Sequence, residues 1–176
     1  PKNIKPRTIG APYVTEMAQR GDTKRDQSLV VFTSQGVVGR HLVDLAIETA
    51  ARRPDKKIIF RLHPSEDLET YKEQTKNYGA LPQNFSFSSR QPVIFQLLAE
   101  ADIQVGAFST TLLEGMLLGC RTIVVNLPGI EYVRPVIERG DALFVKNIDE
   151  LVNRLDDAPQ AKDPAYYYAS PVSPLL

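Results

Sequence analysis

Ser109, Thr110 and Thr111, followed four residues after Thr110 by Glu114, form the grouping in this sequence with the clearest chemical use. They stand where an apolar run (Ile103, Val105) gives way to an apolar helical pattern ended by Gly119. Ala101 to Asn126 therefore reads as strand, turn, helix and strand, the last built on the β-branched run Thr122 to Val125. A helix starting at the hydroxyls directs unpaired N–H groups and a positive dipole end toward the C-terminal edge of a sheet, which favours phosphate there. Glu114 falls on the same helix face about 6 Å along the axis. Its carboxylate can accept hydrogen bonds from sugar hydroxyls while the helix start holds phosphate. Capping by Ser109 or Thr110 explains the hydroxyls without a ligand, but leaves Glu114 unexplained in an otherwise apolar helix.

Three further groupings lie at the ends of apolar runs. Arg61-Leu62-His63-Pro64 puts an Arg and a His on one strand face, with Pro64 fixing the exit of the chain. Together they suit an anion or an acidic sugar group, and an imidazole can carry a proton near neutral pH. The alternative is an Arg paired with a carboxylate and a His satisfied by hydrogen bonds. Ser34-Gln35-Gly36, with Gly39 beyond, is a small-residue loop that would let backbone approach a ligand closely, or an ordinary strand-to-helix turn. It lacks the GxGxxG spacing, and no GxxxxGK[ST] occurs. The loop from Ser88 through Ser89, Arg90, Gln91 and Pro92 could present backbone groups to a base edge, or be a plain polar loop. His41 reads as a surface residue, and Cys120 as a buried structural thiol.

Strand and helix alternate to position these groups. Leu29–Thr33, Lys57–Leu62, Phe85–Ser88, the run ending before Ser109, Thr122–Val125 and Ala142–Val145 read as strands. Most are apolar on both faces, as strands covered by helices on both sides must be. Helices are expected over about 37–53, 67–77, 93–100, from Ser109 to Gly119, after Pro128-Gly129 to about Gly140, and over 148–156. The pattern predicts an α/β fold: a Rossmann-like parallel sheet of about six strands with helices on both faces and ligands at the C-terminal strand ends. Residues 1–27 read as a linker or arm, 28–157 as the domain, and 158–176 as a proline-rich tail that wraps back or joins another region.

Composition narrows the classes. The 176 residues are 43% hydrophobic and 24% charged, which suits one globular domain. Lys+Arg and Asp+Glu both total 21, so no global basic field draws the chain to nucleic acid. No apolar run spans a membrane, PKNIKPRTIG lacks the apolar core of a signal peptide, and a single cysteine excludes an internal disulfide. These features lead to the expectation of a cytoplasmic location.

With RLHP upstream, FSTTLLEGMLLGCRTIVVN resembles the C-terminal nucleotide-sugar-binding half of GT-B-type glycosyltransferases. The nearest are bacterial surface-polysaccharide enzymes of the capsule and teichoic-acid kind, and the related UDP-N-acetylglucosamine 2-epimerases. The resemblance covers roughly residues 28–157. It implies that Ser109, Thr110 and Thr111 meet the donor phosphates, Glu114 the ribose, and Ser89, Gln91 and Pro92 the base. It places Arg61 and His63 near the phosphates as catalytic residues and Gly36 in the first loop. The implied ligand is a nucleotide-sugar of UDP, CDP or CMP type, with no cofactor and no metal; the sequence has no Asp-x-Asp triplet. The acceptor and any catalytic base would come from an N-terminal domain of a longer parent chain, whose peripheral membrane association the resemblance allows. Two positions depart from the pattern: the first loop lacks a basic residue, and Gly115 replaces a more usual alanine. A 2-epimerase-like domain would use the same donor site, and a non-catalytic flavodoxin-like module is the alternative from a different class.

Overall fold

Six apolar runs pair as parallel strands: β1 (Asp26–Thr33), β2 (Lys57–Arg61), β3 (Phe85–Ser88), β4 (Ala101–Gly106), β5 (Arg121–Val125) and β6 (Leu143–Val145). Their order across the sheet is β3-β2-β1-β4-β5-β6. This computed structural model describes residues 24–168; most of the expected arm, and the end of the tail from residue 169, lie outside the described residues. The helices are α1 (Gly39–Arg52), α2 (Leu68–Thr75), α3 (Ile94–Glu100), α4 (Thr111–Leu117), α5 (Arg134–Glu138) and α6 (Ile148–Asn153). The expected Rossmann-like α/β sheet is what forms.

The central strand shows why. Leu29, Val30, Val31 and Phe32 are each at most 2% exposed, and alternate residues serve opposite faces. Val30 and Phe32 join the core with Leu42, Val43, Ala46 and Ile47 of α1. Leu29 and Val31 join Leu97, Leu98, Leu118 and Cys120 on the other side. Burying each large apolar side chain is worth about 1.5–3 kcal/mol, so the apolar stripe of α1, more than helix propensity, seats it on the sheet.

Edges differ from expectation in small ways. β1 starts at Asp26, whose carboxylate accepts the N–H and hydroxyl of Ser28. The helix expected after Gly129 is split into a 3-10 turn (Ile130–Val133) and α5, where Pro135 stands in the first turn and has no N–H to carry the ladder through from the turn before it. The final helix stops at Asn153 and continues as a 3-10 turn, Leu155–Asp157.

Beyond it, Ala158 and Ala161 are buried, and Tyr167 donates to Asp141 Oδ2 at 2.7 Å. Beside the starts of β1 and β4, Arg25 donates to the carbonyls of Ala101 and Leu118, closing the C-terminal ends of α3 and α4. Gly119, at φ +91°, leaves room for that guanidinium: a Cβ there would lie 2.6 Å from Arg25 Nη2. No helix among the described residues is long and apolar enough to cross a membrane.

The chain runs from β1 outward to β2 and β3, then returns to lay β4 on the other side of β1. Connections therefore diverge between β1 and β4, and a crevice opens at their C-terminal ends.

Candidate functional site

A cleft of about 250 Å³ occupies that crevice. The exit of β1 contributes Thr33 and Ser34, the exit of β2 contributes Arg61 to Pro64, and the loop after β4 contributes Ser109, Thr110 and Thr111. Ile94, at the start of α3, closes one side. Arg61, His63, Ser109, Thr110 and Thr111, singled out from sequence, thus meet in one cavity, although up to 50 positions separate them in the chain. Gly36, Ser89, Gln91, Pro92 and Glu114 lie outside its lining.

Arg61 is 9% exposed, and its guanidinium is held by neutral acceptors. Nη1 donates to Ser88 Oγ at 2.9 Å and to the Pro92 carbonyl at 2.7 Å, while Nη2 donates to the Arg90 carbonyl at 3.3 Å. Among the described residues no carboxylate pairs with it, and burial alone pulls its pKa down, though a guanidinium remains cationic. A buried cation with no counter-charge among the described residues therefore lines the cleft. The same bonds make Arg61 the strut of the exposed loop Ser89–Pro92, whose Gln91–Pro92 peptide is cis.

His63 is exposed at the rim. Its Nδ1 lies 2.7 Å from Ser65 Oγ and accepts the Ser65 N–H at 3.2 Å. Its backbone N–H donates to Glu66 Oε2 at 2.7 Å. Glu66 Oε1 in turn accepts the hydroxyls of Ser34 at 2.9 Å and Tyr71 at 2.8 Å. Burial, reinforced by Glu66 against the opposing effect of Ser34, pushes the Tyr71 hydroxyl up to about 12.

On the other wall, Ser109 Oγ accepts the Thr111 N–H at 3.2 Å, and the Leu112 N–H goes to the Ser109 carbonyl at 3.0 Å. Ser109 is thus occupied as a local cap, whereas Thr110, at the N-cap position, makes no side-chain cap bond and is exposed. Glu114 is half-buried one turn into α4. Gly36 is exposed, and a Cβ there would meet nothing within 4 Å. The close approach expected of that loop falls instead at Gly39, where a Cβ would lie 2.5 Å from Ser34 Oγ and 2.7 Å from Glu66 Oε1.

Sequence reasoning missed Glu66 and Tyr71. Glu66 had a local signal, since a carboxylate reaching back three residues to a backbone N–H is capping-box spacing. Tyr71 reads as an inner-face position of its helix, but its meeting with Glu66 depends on α2 folding over β2, where its ring lies tilted against Phe60 with centroids 5.2 Å apart. A second hollow of about 260 Å³, between α1 and the ends of β5 and β6, includes His41, Glu48 and Lys146 in its lining but none of the residues above.

No protein-family model and no curated protein matches the sequence. Solved structures do share the fold. The C-terminal domain of the group 1 glycosyltransferase LpcC from Francisella tularensis aligns over 89% of this chain and 93% of its own, with TM-score 0.57 and 17% identity. Anabaena HepE in complex with UDP-glucose aligns over 84% of this chain and 43% of its own, with TM-score 0.57 and 18% identity. The wall teichoic acid polymerase TagF aligns over 84% and 36%, with TM-score 0.54 and 15% identity. The chain has the fold of a C-terminal GT-B domain, and spans less than half the length of HepE and TagF.

Proposed function

We propose that this chain is the donor-binding half of a bacterial GT-B glycosyltransferase of surface-polysaccharide synthesis, working in the cytoplasm. The observation that carries the reading is the buried Arg61, which has no carboxylate partner among the described residues and lines one cleft with His63, Ser109, Thr110 and Thr111. A diphosphate there would supply the missing negative charge, and its oxygens would find hydroxyl and imidazole donors. HepE, solved with UDP-glucose, shares the fold and supports a nucleotide-sugar of UDP, CDP or CMP type as the ligand.

Transfer breaks the bond between the sugar's anomeric carbon and the diphosphate oxygen and forms one to an acceptor hydroxyl. Charge accumulates on the leaving nucleoside diphosphate, where Arg61, His63 and the Thr110 and Thr111 hydroxyls would stabilise it. The acceptor proton would pass to a base on a second domain of a longer parent chain, so this chain alone should bind donor but transfer little. Glu114 is assigned to the ribose, the loop Ser89 to Pro92 to the base, and Gly36 to the rim of the first loop.

Titration calorimetry with UDP, CDP, CMP and GDP tests the reading. One of them should bind, and Glu114→Ala should weaken it by about 1–3 kcal/mol, the scale of hydrogen bonds involving a charged group. Absence of affinity for all four overturns donor binding. Release of a C2-inverted sugar by the parent protein would favour the epimerase instead.

A further inference from the structure

Glu66 does not line the cleft, yet the exits of β1 and β2 both hang on it. One carboxylate joins Ser34 after β1, His63 after β2 and Tyr71 on α2. Ser34 and Tyr71 are 5% and 4% exposed, and their hydroxyls are 3.1 Å apart. Gly39 leaves the volume that the network fills. Negative charge beside an anion site lowers affinity, so a carboxylate here needs a reason. Three donors converge on it from separate elements. A glutamine has one oxygen, so it can accept from His63 only by turning its amide nitrogen on the two hydroxyls, which must then accept where they now donate.

The imidazole follows from the same turn. An Nδ1 that accepts a backbone N–H carries no proton, so the neutral ring of His63 holds its proton on Nε2. Glu66 fixes the His63 backbone and Ser65 fixes the ring, leaving Nε2–H as the donor to offer the cleft.

We propose that Glu66 is a positioning residue of the cleft, setting His63 as an Nε2–H donor to the phosphate oxygens of a nucleoside diphosphate. This rests on the donor-binding reading above, and two independent measurements separate the two. The first is the ¹⁵N spectrum of the His63 ring at about pH 8.5, where imidazoles are neutral. The second is calorimetry with UDP, CDP, CMP and GDP on the wild type, E66A, E66D and Y71F, each checked for cooperative thermal unfolding.

The wild-type ring should show an unprotonated Nδ1 and a protonated Nε2. E66A, which removes the acceptor, and E66D through its shorter reach, should shift both ring nitrogens toward a tautomer mixture and weaken the nucleotide by about tenfold or more. Y71F keeps the His63 bond and the packing on Phe60, so its ring spectrum should match the wild type. If E66A does not fold, E66D carries the test. A wild-type ring spectrum in the folded Glu66 variants overturns the proposal, as does wild-type nucleotide affinity in them. If the wild type binds none of UDP, CDP, CMP and GDP, donor binding fails, and the ring spectra alone decide the role of Glu66.

Discussion

Gln104 and Gly115 share one volume: a Cβ added to Gly115 would sit inside the van der Waals surface of the Gln104 side-chain amide. Gln104 is fully buried on β4 and donates from Nε2 to the Leu112 carbonyl at 2.6 Å and to Thr122 Oγ1 at 2.8 Å. One side chain thus ties β4, α4 and β5, and sets how closely the helix behind Ser109 to Thr111 lies on the sheet. The departure from alanine at this position is explained by what stands opposite it.

Alanine in place of an interior helical glycine ordinarily stabilises by about 0.5–1 kcal/mol. Gly115→Ala should instead destabilise by about 1–3 kcal/mol through overpacking. Urea denaturation checks the sign, and Gln104→Ala combined with Gly115→Ala should cost less than the sum of the two.

Arg61 should resist conservative replacement. Arg61→Ala removes hydrogen bonds from a charged group to Ser88, Arg90 and Pro92, and should weaken nucleotide binding by about 1.5–3 kcal/mol. Arg61→Lys should recover little, because a point ammonium cannot span acceptors held by a planar fork. Calorimetry giving wild-type affinity for Arg61→Lys would contradict this geometry.

Asp141 predicts an acid limb of stability. Burial by itself pushes its carboxyl up, but hydrogen bonds from Tyr167, the Lys162 N–H and Arg139 outweigh burial and hold it below the usual carboxylate range. A carboxyl depressed by folding contributes its stability in full above its unfolded value, near 3.9, and loses it as pH falls through the folded value. Wild-type Tm should therefore drop more steeply than that of Asp141→Asn below about pH 4. At neutral pH the variant should already be less stable by about 1–3 kcal/mol.

Cys120 reports on the contacts of Arg25. Burial, countered only in part by Arg25, pushes its thiol up to about 12, and Sγ donates to the Leu98 carbonyl at 2.9 Å. Native protein at pH near 8 should react with a thiol reagent only through local opening. Arg25→Ala releases the carbonyls of Ala101 and Leu118, and should speed that reaction by about tenfold or more.

What the sequence made legible was whatever short range decides. Leu29 to Phe32 had to be a strand covered on both faces because nothing in the run tolerates water on either side. β3 was legible despite its length, since Phe85 and Phe87 alternate with serines and Phe85 is buried in the core. The grouping of Arg61 and His63 with Ser109 to Thr111 followed from placing each at a strand end.

Partnership across the fold was not legible. Gly39 is required by Tyr71 and Glu66, which stand 27 or more positions away in the chain. Likewise, nothing in RLHP says that the guanidinium faces the carbonyls of the next loop. Glu114 stands in a helix as expected, but its distance from the cleft depends on how Gln104 seats that helix.

The way Arg61 holds its loop divides labour between main chain and side chain. Two of its three acceptors are the carbonyls of Arg90 and Pro92, which any sequence would supply, and the third is the buried Ser88. The side chains of Ser89, Arg90 and Gln91 are exposed and free of that anchoring duty. Randomising those three positions while keeping Arg61, Ser88 and Pro92 would vary the chemistry displayed at the rim on an unchanged frame, which makes this loop a natural place for new ligand preferences to arise by drift or by design.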